Sequence, residues 1–120
     1  MSLVLSIERL ESLIMVPVDK WDAEWAREVC TASRFVHLNV WIFTPKREQA
    51  RDIIKLLQRA RKDLLSMVNS GDFDKDKKVI EPYIENVGGR IRNLKENYLV
   101  GKPSAFVPDD KLSEPRHETS

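Results

Sequence analysis

The chain of 120 residues has one cysteine, Cys30, so an internal disulfide is excluded and a reducing compartment is expected. With Cys30 it has two histidines, His37 and His117, one donor short of the four ligands of a structural zinc site. Only His37 lies in the helix-patterned part, which falls short of the paired Glu-x-x-His sets of metal-carboxylate bundles. Nor does any uninterrupted apolar run reach the length of about 18 residues needed for a membrane span. The apolar stretch 2–18 is broken by Glu8, Arg9 and Glu11 and has no basic segment before it, unlike a secretory signal. An intracellular, cytoplasmic and soluble protein is expected. The formal net charge of +1 provides no global field to draw nucleic acid or a membrane surface.

Glycine is also scarce. Of the four, Gly88-Gly89 fall inside a helical pattern, where they read as a kink or a close approach. No strand or further glycine precedes them, so neither a phosphate loop nor a dinucleotide fingerprint is present. The run Asp72-Phe73-Asp74-Lys75-Asp76 starts like a calcium loop but has Lys77 where glycine is required and Tyr83 where a bidentate glutamate is required. It reads as a polar connection between helices.

What the sequence does contain is helical periodicity. Leu3, Ile7, Leu10 and Ile14 share one face, with Ser2 as cap and Pro17 as terminator, over about residues 2–15. A second stripe of Trp25, Val29, Ala32, Val36, Val40 and Phe43 predicts a helix over about 20–43, capped by Asp19 with Asp22 in a loose capping box. The β-branched and aromatic stretch Phe35–Phe43 would also suit a strand, but no partner strand exists to pair its backbone. Thr44-Pro45 reads as a cap and first turn opening a third helix over 45–69. That helix carries Ala50, Ile53, Leu57, Ala60, Leu64 and Met67. A fourth, over 79–99, carries Ile80, Ile84, Val87, Ile91, Leu94 and Tyr98, with Pro82 in its first turn or kinking it. Short connections predict an all-α, up-down-up-down four-helix bundle over residues 1–100. Beyond it, 101–120 contains three prolines and no period, which predicts an extended or disordered tail.

Candidate functional residues fall into three groups. Trp21, Trp41 and Phe43 offer aromatic surface, and Phe106-Val107 form an apolar knot in the tail; such anchors suit a protein partner. Arg47, Arg51, Lys55, Arg59 and Lys62 form a basic stripe in a segment with seven basic and three acidic residues between 45 and 69. It reads as a solvated face, or as a surface for an acidic partner or phosphates. Cys30, Ser33 and His37 share a helix face but have no orienting acid or oxyanion hole. The first helix is apolar over more than one stripe, as if a second face met another chain. Together these features predict a non-catalytic interaction module, an adaptor or accessory subunit without cofactor. Its partner would be another protein or a second copy, with nucleic acid as the alternative.

Overall fold

The computed structural model describes residues 2–98, and among them every long element is a helix. Helix α1 (Leu3–Ile14) opens on Ser2, whose Oγ accepts from the Leu5 amide at 3.1 Å. It buries Leu3, Leu10 and Leu13, with Ile7 and Ile14 packed at the edge of the core.

The start of the second helix differs from expectation. Residues Val18–Lys20 form a separate 3-10 turn, and α2 (Ala23–Phe43) begins only after Asp22, whose carboxylate accepts from the Trp25 amide at 2.7 Å. Trp21 is extended there, and its indole N–H donates back to the Val16 carbonyl at 3.0 Å. That bond ties the connection to the end of α1, so the helix cannot start at Asp19. Residues Phe35–Phe43 are helical, in line with the missing partner strand.

Thr44 ends α2 rather than capping the next helix. It lies in the left-handed region at φ 41°, with its amide donating to the Val40 carbonyl at 2.8 Å. The chain must reverse within Thr44-Pro45-Lys46, and closing α2 consumes the threonine. Helix α3 (Arg47–Ser70) then buries Ala50, Ile53, Ile54, Leu57, Ala60, Leu64 and Met67, and ends at Gly71 with φ 82°. After a 3-10 turn at Asp74–Asp76, α4 (Lys77–Tyr98) starts two residues earlier than expected. Pro82 therefore sits in its second turn, and the helix is continuous through it and through Gly88-Gly89. The carbonyl of Lys78, which proline cannot serve, belongs to an exposed residue that water can reach.

Successive helices alternate in direction, but sequence order is not spatial order. The tightest pairs are the hairpins α1–α2 and α3–α4, and α2 lies against α4. Bonds across that last pair link residues 57 and 56 positions apart, Ser33 with Arg90 and His37 with Asn93. A near-constant offset means that α2 and α4 run parallel. The core between the hairpins is closed by Val29, Val36, Val40, Leu57, Leu64, Ile80, Val87 and Leu94, all inaccessible to solvent.

Candidate functional site

Where α2 meets α4, the residues with most chemical potential are spent on packing. Arg90 Nη1 donates to the Ser33 hydroxyl at 2.7 Å and to the Cys30 carbonyl at 3.2 Å, and lies 3.6 Å from Cys30 Sγ. Ser33 Oγ donates in turn to the Cys30 carbonyl at 2.7 Å. One helical turn on, His37 Nε2 lies 3.0 Å from Asn93 Oδ1, and Asn97 donates to the Asn93 carbonyl at 2.7 Å. Cys30, Ser33, His37, Arg90 and Asn93 are all buried. The seam fixes the register of two parallel helices, because sliding either by a turn would strand a buried charge. Its α2 half was visible in sequence as a shared face. Arg90 and Asn93 were not singled out, although their spacing of three beside the apolar stripe of α4 was the available sign.

Trp21, expected at a partner surface, is half-buried instead. It stacks on Trp25 with ring centroids 4.4 Å apart and an interplanar angle of 9°. Trp25 is buried, and its indole donates to the Leu13 carbonyl at 2.8 Å. Both tryptophans thus close the C-terminal end of α1, whose last carbonyls would otherwise need water. Their place is the α1–α2 turn.

Trp41 and Phe43 do face outward, 43% and 54% exposed, and sequence reasoning missed their neighbours. Phe35 and Ile42 are 43% and 59% exposed, and Leu38 between them is half-buried. Steps of three and four put Phe35, Leu38 and Ile42 on one ridge. From Phe35 to Pro45 the chain has no Asp, Glu, Lys or Arg, so the outward face of this half of α2 is as apolar as its core face. A depression of about 330 Å³ lies beside the ridge between α1 and α2, bordered by Ser6, Thr31 and Phe35. The Arg9–Glu28 ion pair, at 3.3 Å, borders it too. Val4 and Leu5, both more than half exposed, extend the apolar surface at the start of α1. Phe106 and Val107 lie outside the described residues.

On α3 all five residues of the basic stripe are exposed. Arg59 is engaged by its own helix, its Nε 3.3 Å from Asp63 Oδ1. Lys62 borders a groove of about 880 Å³ between α3 and α4, shared with Arg61, Arg92 and Lys95. No ion pair among the described residues engages these four cations. Three of them were not anticipated, since the cluster draws on two helices about 30 residues apart and only packing assembles it. Among the described residues no group of three or more His, Cys, Asp or Glu is placed to hold a metal ion. No described helix is long and apolar enough to cross a membrane.

Comparison with protein-family models, with curated proteins and with solved structures returns no match to this chain.

Proposed function

We infer that this chain is a non-catalytic interaction module whose contact surface is the outward face of the C-terminal half of α2. The observation that carries this reading is the uncharged stretch Phe35–Pro45, which presents Phe35, Ile42 and Phe43 to solvent opposite a face already buried. A helix apolar all round is ordinarily a buried helix, so this half of α2 is suited to a covering layer. The occupant it fits is an apolar helix face, most simply that of a second copy, because an uncharged ridge needs no complementary charge to pair with itself. The depression beside Phe35 suits an anchoring side chain from that helix. A side chain gains about 1.5–3 kcal/mol on full burial, so several half-exposed residues together would support a weak to moderate association. The non-catalytic part of the reading is supported by the burial of Cys30, Ser33 and His37, which removes them from any substrate.

The test is light scattering over a concentration series, on the full chain and on Phe35→Glu/Ile42→Glu. Self-association of the wild type, with a folded and monomeric variant, is the expected result. A wild type that stays monomeric at every concentration, or a variant that associates equally well, would sink the reading. A second reading, that the basic stripe of α3 meets an acidic partner, is favoured by the four cations gathered at the α3–α4 groove.

A further inference from the structure

We propose that the groove between α3 and α4 is a receptor for an acidic amphipathic helix of another protein. The proposal deepens the second reading above and is independent of the apolar face of α2, which lies on a different helix.

The groove combines two features that differ in what they would bind. Its rims are basic, with Arg61 and Lys62 on α3 opposite Arg92 and Lys95 on α4. None of the four has an ion-pair partner among the described residues, so each can meet an incoming carboxylate without first breaking a bond within the protein. Lys55, seven residues before Lys62 and so on the same flank, continues the α3 rim by two turns. The floor, by contrast, is apolar: Leu65 from α3, with Ile84 and Ile91 from α4.

At mid-groove stands Gly88. A Cβ there would come within 3.2 Å of Arg61 Nε, so the Arg61 side chain lies across the glycine. The missing side chain lets Arg61 lie close along α4, which places its guanidinium in the groove to take a carboxylate. From Ile84 to Glu96 the α4 wall is about 18 Å long, at about 1.5 Å per residue. That length matches an occupant of about three helical turns. An apolar stripe on the occupant would meet the floor, and acidic residues on both flanks would meet the rims, the helix-in-groove mode of recognition.

A nucleic acid fits less well. Single strands are held by stacking on aromatic side chains, and no aromatic residue lines this groove. Glu85 and Glu96 also border it, which opposes a continuous phosphate backbone but can be accommodated by a helix whose charges are discrete.

The test is fluorescence anisotropy with the full chain and a labelled 14-residue amphipathic peptide, leucine along one face and glutamate on both flanks. Scrambled peptide, polyglutamate and a single-stranded RNA of similar length are the comparators. The expected result is saturable binding of the amphipathic peptide, at least tenfold tighter than any comparator. It should weaken at least tenfold in Lys62→Glu/Arg92→Glu, and also in Gly88→Gln, which pushes Arg61 out of its place along α4 while keeping the charges. Phe35→Glu/Ile42→Glu should bind as the wild type does, which separates this proposal from the reading based on α2. Circular dichroism melts of each variant confirm that the helices persist. RNA or polyglutamate binding as tightly as the peptide would overturn the proposal, since charge alone would then suffice. So would unchanged peptide affinity in both groove variants, or no peptide binding at all.

Discussion

Arg90 Nη1 lies 2.7 Å from Ser33 Oγ, a bond between two parallel helices that keeps a guanidinium satisfied where solvent barely reaches. The same nitrogen also bonds the Cys30 carbonyl, so one arginine of α4 clasps a full turn of α2. Ser33→Ala removes an acceptor from a buried charge and should cost about 1–3 kcal/mol. Arg90→Met removes the charge as well. In a double-mutant cycle the two losses should fall short of additive by about 0.5–3 kcal/mol. Urea unfolding of the four chains measures this, and strict additivity would show that the contact contributes nothing.

Two residues in the left-handed region predict opposite outcomes. Thr44 at φ 41° is β-branched and strained, so Thr44→Gly should stabilise the protein by up to about 1 kcal/mol. Gly71 at φ 82° meets nothing within 4 Å of where a Cβ would stand, so Gly71→Ala should cost about 1–2 kcal/mol from conformation alone. Thermal melts check both signs.

The stacked tryptophans are not equivalent. Trp25→Phe loses a buried ring and the bond to the Leu13 carbonyl, an expected cost of about 2–4 kcal/mol. Trp21→Phe also loses an indole bond, to the Val16 carbonyl, but that site is only half-buried. Water can replace the donor there, so this substitution should cost less, by at least about 1 kcal/mol. Denaturation followed by circular dichroism gives the ranking, and equal losses would contradict it.

Alkaline stability should depend on Tyr98, whose phenol is pushed above its ordinary value by burial. The folded chain therefore keeps this proton at a pH where the unfolded chain has released it. Its contribution is whole below about pH 10 and is lost as pH rises through the folded value. Tyr98→Phe should flatten the decline in stability above about pH 10. Urea midpoints across that range test it, and parallel curves for the two chains would refute it.

The helices were legible because their signal is local. The stripes from Ala50 to Met67 and from Ile80 to Leu94 repeat within a few residues, and those residues are buried. Asp22, Thr44 and Pro82 show where local reading stops. Asp22 caps α2 because Trp21 is tied to the end of α1, Thr44 ends a helix it was expected to begin, and Pro82 lies a turn deeper than its chemistry suggested. Each depends on how the chain turns between elements already packed, which no short window encodes.

The candidate surfaces divide in the same way. The uncharged composition of Phe35–Pro45 is written in the chain, but that Phe35 and Ile42 face solvent while Val36 and Val40 are enclosed follows from which side of α2 the other helices cover. The basic stripe of α3 could be read directly. Its union with Arg92 and Lys95 over Gly88 could not, since the pairing of α3 with α4 brings those side chains to one groove. Amino-acid order specifies helices because backbone hydrogen bonds and apolar period act over three or four residues. Which helices become neighbours, and so which side chains share a surface, depends on burying all four apolar faces at once, a condition met by the whole chain and by none of its segments.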